Sequence, residues 1–596
     1  MRRALAWGSV LTLIVALASC GFMRWPLSAA KVGDSLNAAF GASPRLHWRA
    51  LRAATFSALP WPCVRIVDAR LDDVYGVDLL SAPAARLNLS LIGLLRGRLI
   101  PTGAVLVSPI IRVDMDHPPF AGAAGGSAGR ATVTMALAPL TTLSLSHGRL
   151  RVVSAKRGVD TLIDDVQGRF DGLTIGDRLR FNISAVWRNT PVTIVGALDD
   201  PETAAKGATS PLSFAVVSPL AKLVFGGAFA FGDKPRAEGD LIASIPSVRA
   251  LASFLNAKPP PVLIANDIAV TGKIKAARNT LMLDEATLTS DGQKVEGALA
   301  IDDVGGRPAV SGTLAAGTLT LNPLLGSPQR FFGPSGWSTK PFALAPLSAF
   351  DLDLRLSAAH LDVYGLALAD AAVSAIINDG KLSMSVIDAA AYGGRLAGEV
   401  DAACVGRDLK MSASGVLADA DLGAAMAAFG RPMATGRGRA RFDIEASGAS
   451  PAAAIANLSG TATLKATDGA ILGVDLEEAL RRSWRRPIDV DRDMRLGGTA
   501  FDQLEVSLSL DNGHARVERG AMTSHGVTAD LSGLIDLVAW RWALRLKAVQ
   551  TNEAGEESQD AARLTLDIGG SWSAPKIRAL AENGRAGPVG DPRTSR

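Results

Sequence analysis

The chain has 596 residues, with 62 Lys+Arg against 58 Asp+Glu and a formal charge of +4. Hydrophobic residues make up 48%, which excludes general disorder, and so small a charge over this length makes a poor counter-ion for nucleic acid. Only one run is long enough to cross a bilayer, so the chain is not a polytopic membrane protein.

That run comes first. Met1-Arg2-Arg3 precedes an uncharged apolar stretch from Ala4 to Met23, followed by Arg24-Trp25. About 20 residues rising about 1.5 Å each span the hydrocarbon layer. Arg2 and Arg3 favour a cytoplasmic N-terminus, which places everything after Trp25 across the membrane. Residues 1–25 are therefore expected to form a single-pass transmembrane anchor. Two alternatives stand beside it: a cleaved signal peptide, and lipidation at Cys20, because Leu17-Ala18-Ser19-Cys20 resembles a bacterial lipobox. All three export the body of the chain. Next, Val32, Leu36 and Phe40 share one face of a predicted amphipathic helix that stops at Gly41, placed to cap the first sheet or to lie on lipid. Cys63 and Cys404 stand far apart, in neither a disulfide framework nor a zinc cluster.

From about residue 60 the dominant pattern is alternation with a period of two, which marks half-buried strands. Phe181, Ile183, Ala185 and Trp187 share a face, as do Val192 and Ile194, then Ile268, Val270 and Ile274. Further runs are Leu352, Leu354 and Leu356; Leu382, Met384 and Val386; and Leu504, Val506, Leu508 and Leu510. Trp542, Leu544 and Leu546 and then Leu564, Leu566 and Ile568 complete the series. Asp379-Gly380, Asp468-Gly469, Asn512-Gly513, Asp291-Gly292 and His147-Gly148 are expected hairpin turns, since such steps supply positive φ. Short helices are predicted after Ser247, Asp421, Ser450 and Asp475 as N-caps. Breaks fall at residues 118–129, 259–261 and 322–346, and the tail from 581 has the composition of a disordered segment. About 30–38 strands follow, in repeated units of turn, strand, strand, turn, strand.

The second half resembles a known family. Trp337, Pro341, Leu347 and Phe350-Asp351-Leu352-Asp353-Leu354 are followed by Asp379-Gly380, Tyr392-Gly393-Gly394, Leu458-Ser459-Gly460-Thr461 and Asp468-Gly469-Ala470-Ile471-Leu472-Gly473-Val474-Asp475-Leu476. Phe501-Asp502, Asn512-Gly513 and Gly570-Ser571-Trp572-Ser573-Ala574-Pro575 close the series. In order and spacing these resemble the AsmA family of bacterial envelope proteins, related to the TamB-type bridge-like lipid transport proteins. Arg86-Leu87-Asn88-Leu89-Ser90-Leu91-Ile92-Gly93 fits the N-terminal part of that pattern. The organisation implied is an anchor (1–25), an N-terminal AsmA-like region (26–115), a central β-rich region (116–336), a C-terminal AsmA-like β domain (337–580) and the tail (581–596). The fold class is mainly β: a transmembrane helix, then an elongated, curved antiparallel β-sheet groove of repeated hairpins with a few short capping helices.

The resemblance implies a cell inner membrane protein with its bulk in the periplasm, binding and conducting phospholipids in support of outer-membrane biogenesis, with envelope proteins as further partners. The groove candidates are Leu352, Leu354, Leu382, Met384, Leu504, Val506, Leu508, Leu510, Trp542, Leu544, Leu546, Leu564, Leu566 and Ile568. Alternation by itself does not distinguish an open groove from a filled core, and a filled core would make the chain an assembly scaffold for outer-membrane proteins. No enzyme is expected. The histidines make no local pair with a carboxylate and a nucleophile, no phosphate-binding glycine loop occurs, and no cofactor or metal set is present in the sequence.

Overall fold

The computed structural model describes residues 25–27, 34, 46–50, 54–58, 61–73, 78–96, 100–114, 140–154, 159–174, 176–205, 207–230, 235–256, 267–277, 279–304, 307–322, 331–333, 336–342, 345–428, 433–483, 497–552 and 561–580. The apolar run 4–23, Cys20, the stripe of Val32, Leu36 and Phe40, and the tail from 581 lie outside the described residues. Trp25–Leu27 forms a short strand paired with Ala54–Ser57, where the sequence places the end of an anchor. Among the described residues no helix is long and apolar enough to cross a membrane.

The described residues are mainly β, with 33 strands and a few short helices. Two compact units divide the chain: residues 1–259 with 266–291, and residues 260–265 with 292–596. In the first, Cys63–Asp73 and Asp78–Leu89 pair antiparallel over a core of Val64, Ile66, Ala82, Leu87, Leu106 and Leu140. Hairpins then run from Thr142–Ser154 to Thr280–Ser290, each strand pairing antiparallel with the next. In the second unit, strands pair in order from Gln293–Val304 to Ala574–Leu580.

The pairing is not purely antiparallel, which corrects the expected topology. Arg307–Thr320 pairs parallel with Asp351–Val363, and Thr142–Ser154 pairs parallel with both Pro101–Val107 and Ile110–Asp114. A parallel pair needs a long crossover. Residues 321–350 supply one in the second unit, and the Pro- and Gly-rich composition that marks a break in the sequence is that of the crossover. Arg307 closes the seam, its Nη2 lying 2.8 Å from Asp351 Oδ1.

Turn chemistry is met in three of the five expected places. Asp291-Gly292, Asp379-Gly380 and Asn512-Gly513 have positive φ at both residues and join consecutive strands. The other two are corrections: His147-Gly148 lies inside Thr142–Ser154, and Asp468-Gly469 inside Ser459–Leu472. His147 and Asp468 still take φ of 53° and 52°. A G1-type β-bulge places its first residue in the left-handed region, as a tight hairpin turn does. The device recurs at Asp165, Glu285, Asp370 and Asp419, each with positive φ and each beside a shift of register. The residue after each is buried: Val166, Ala286, Ala371 and Ala420. The bulge thus holds Leu368 and Ala371 in one apolar cluster although they are three residues apart.

The predicted caps are in place. Ser247 Oγ accepts from Ala250 N ahead of Val248–Leu255, and Ser450 Oγ from Ala453 N ahead of Pro451–Ala456. Asp421 Oδ1 accepts from Ala424 N at Leu422–Ala428. Asp475 Oδ1 accepts from Glu478 N at Leu476–Ser483, where Leu476 N also donates to Thr499 Oγ1. Each cap satisfies a donor that the first turn leaves open.

Candidate functional site

Residues that face one another across paired strands lie on the same side of the sheet. Tracing those pairs through the second unit gives two rows. One runs Gly297, Leu314, Leu356, Val373, Val386, Gly398 and Gly415. It continues through Phe442, Ala462, Leu508, Val517, Gly533, Leu544, Ile568 and Ile577. The other runs Leu299, Gly312, Leu354, Ala375, Met384, Val400 and Ala413. It goes on through Ile444, Gly460, Leu510, Ala515, Ile535, Trp542, Gly570 and Pro575. Every position in both rows is apolar.

The row between them, on the opposite face, contains Thr313, Arg355, Ser374, Ser385, Glu399, Ser414, Asp443 and Thr461. Cross-strand ion pairs stitch this face. Lys465 and Arg519 both reach Glu505, at 2.9 and 3.1 Å, and Arg545 reaches Asp567 at 2.8 Å. Hydrogen bonds from Lys465 to Glu505 and from Arg545 to Asp567, with the neighbouring positive charge, hold both carboxyls below their ordinary values. A cavity of about 840 Å³ also opens mainly on this side, among Lys381, Ser383, Asp401, Lys410, Ser412 and Glu445. It does not coincide with the apolar rows.

The first unit repeats the arrangement. Leu145, Gly168, Ile183, Ile194, Val216, Leu223, Ala243, Val270 and Leu288 face one another across successive strands. Beside them run Phe170, Phe181, Gly196, Phe214, Phe225 and Leu241.

All fourteen groove candidates lie on the apolar face of the second unit, but in different surroundings. Leu354, Met384, Leu510 and Trp542 belong to one row, and Leu508, Leu544 and Ile568 to the other. Leu352 and Leu382 both pair with Ile377 in the next row, while Val506 sits between Leu464 and Gly520. Leu504, Leu546, Leu564 and Leu566 pack into a cluster with Leu476 and Leu480 of the helix Leu476–Ser483. That helix covers them as core. Along the rows themselves the side chains are mostly half-buried, and Met384, Val400 and Phe442 are 39%, 36% and 37% exposed.

Sequence reasoning missed much of the strip, including Gly398, Gly415, Phe442, Ala462 and Gly460. Glycine and alanine carry little hydrophobic signal, and in Ala434–Gly448 Gly438 and Ala440 sit between the arginines where large apolar residues would mark the face. Close packing accounts for one glycine: a Cβ on Gly415 would lie 2.8 Å from the Phe442 ring. The histidines whose partners the structure shows are exposed. Folding pairs His147 with Asp165 at 2.9 Å and His514 with Asp536 at 3.8 Å across neighbouring strands, and brings His525, in the turn after His514–Thr523, to Asp502 at 3.2 Å. Cys63 is buried and Cys404 exposed, both as free thiols.

At one end of the rows stands an aromatic group. Phe332 stacks on Trp337 at 5.3 Å, Trp337 meets Trp540 edge-on at 5.4 Å, and Trp540 stacks on Trp572 at 5.6 Å. Trp542, a row residue, lies 5.9 Å from Trp572. Trp337 Nε1 donates to Leu537 O at 2.8 Å, tying the crossover segment to a hairpin tip.

A mainly β protein of serial hairpins, apolar on one face and ion-paired on the other, is the class these features define. Residues 332–519 match the model of the AsmA family, and the chain carries an AsmA-family region there. No curated protein and no solved structure matches the chain.

Proposed function

We propose that the apolar rows form a groove that takes up phospholipid acyl chains and lets them pass from strand to strand, in an inner-membrane-anchored periplasmic protein serving outer-membrane biogenesis. The observation that carries this reading is the unbroken apolar character of two adjacent rows whose side chains are mostly left half-buried. Each methylene taken out of water on such a surface contributes about 0.8 kcal/mol. Leu, Val, Ala and Met in succession offer many near-equivalent sites, so a chain moves between them over low barriers. The head group stays in water beyond the strand ends, and no catalyst is needed.

Photocrosslinking tests the reading. A photoreactive residue at Val400 or Leu508 in the full chain should capture phospholipid in cells, and one at Ser414 on the ion-paired face should not. Equal lipid capture from both faces would refute a dedicated path. The cluster of Leu476 and Leu480 over Leu504, Leu546, Leu564 and Leu566 favours a second reading in one region, a sheet with a filled core acting as an assembly scaffold. Capture of outer-membrane proteins without lipid would establish it.

A further inference from the structure

The hairpin between Val527–Asp536 and Arg541–Gln550 has an apolar tip. Its residues are Leu537, Val538, Ala539 and Trp540, where turns are normally built from Gly, Asn, Asp and Pro. Val538 is 41% exposed, and Phe332, packed against the same tryptophans, is 47% exposed. Trp540 has φ of 56°, a left-handed conformation that a bulky side chain rarely takes. The tip is nonetheless well held: Ala539 N donates to Asp536 Oδ1, and Leu537 O accepts from the Trp337 indole. The Trp540 Nε1–H is buried with no acceptor among the described residues. Exposed cations follow the aromatic group in sequence: Lys340 after Trp337, Arg541 after Trp540 and Lys576 after Trp572. Of the nearby acids, Asp511 bonds to Asn512, and Asp536 is engaged by Ala539 and approached by His514 at 3.8 Å.

We infer that the tip 537–540 and the aromatic group behind it form a bilayer-docking element that seats in the head-group layer of an anionic phospholipid membrane. Tryptophan rings favour that layer, and here they back the tip with a rigid apolar base. The small apolar tip enters the acyl boundary, and the three cations meet lipid phosphates. An anionic lipid surface fits this mixture of exposed Val, Phe, Lys and Arg better than a second copy of the chain, which would bring like charges together. One row of the apolar strip closes on Trp542, Gly570 and Pro575, so docking brings that end of the strip to lipid. The inference does not require conduction; a scaffold would dock in the same way.

The test is flotation of the full chain, held in phosphatidylcholine nanodiscs, with phosphatidylethanolamine vesicles containing phosphatidylglycerol. Wild type should float with these vesicles more than with phosphatidylcholine vesicles. Val538→Asp should weaken binding by roughly tenfold or more, and Val538→Leu should preserve it. Phe332→Ser provides a second variant should Val538→Asp alter thermal melting. Undiminished flotation of both polar variants, or no flotation of wild type, would overturn the inference. So would a wild-type dimer in light scattering that Val538→Asp dissolves without any vesicle binding, because the occupant would then be a second copy.

Discussion

Leu508 sits within one apolar row, paired with Ala462 on one side and Val517 on the other. Leu508→Asp puts a carboxylate in the proposed path. Fully burying a leucine side chain is worth about 1.5–3 kcal/mol, so losing a half-buried one should cost about 1 kcal/mol of stability. The effect on transfer should be far larger. An acyl chain sliding over an unpaired carboxylate must strip its water at several kcal/mol, and even about 2.7 kcal/mol added to the barrier slows passage a hundredfold. Movement of a fluorescent phospholipid between donor and acceptor vesicles measures passage, and thermal melting by circular dichroism measures folding. Ser509→Asp, one residue on and facing Thr461 and Arg516 on the other side, is the matched control and should leave transfer intact. Two results refute the reasoning. Transfer within about twofold of wild type in folded Leu508→Asp would remove this row from the path. A loss of more than about 4 kcal/mol in stability would mark Leu508 as filled core.

Two further predictions concern the sheet itself. Asp419 has φ of 56° at its bulge, so Asp419→Val should destabilise the protein by about 1–2 kcal/mol while Asp419→Gly is neutral or stabilising; equal melting of the two variants would argue that the bulge relaxes at no cost. The hydrogen bond and charge of Arg545 hold the Asp567 carboxyl below its ordinary 3.8. Because the folded value is depressed, the pair's contribution is complete above about pH 4 and is lost as pH falls on from there through the lower folded value. Arg545→Gln should move the Asp567 midpoint up toward 3.8 in a carbon-detected NMR titration, and an unmoved midpoint would contradict the pairing.

The strands carrying large alternating residues were legible because a period of two is written directly into Leu504, Val506, Leu508 and Leu510. Caps were equally local: Ser247, Ser450, Asp421 and Asp475 each act on a backbone N–H three residues on. What escaped was non-local or degenerate. Asp468-Gly469 has the dihedral preferences of a turn and is used as a bulge, and only the neighbouring strand decides between the two. The parallel seam at Arg307–Thr320 depends on where the chain returns after residues 321–350, which no local pattern encodes. The site followed the same division. Its leucines could be named in advance, whereas the glycines and alanines between them became visible only when register placed them in line. Whether a leucine lies on the open strip or under a cap was equally hidden, since Leu508 and Leu564 alternate alike and only the second meets the helix Leu476–Ser483.

The two rows impose an unusually loose rule on the amino acids that build them. A surface that must only stay water-repellent, with occasional small residues where backbones crowd, accepts Leu, Ile, Val, Met or Ala almost interchangeably at most positions. Lineages should therefore drift apart quickly along the strands while the capped helices, bulges and tight turns hold their letters. Kinship in such proteins would survive as punctuation rather than vocabulary, and the stretch 332–519, dense in such turns and caps, is where it is still detected.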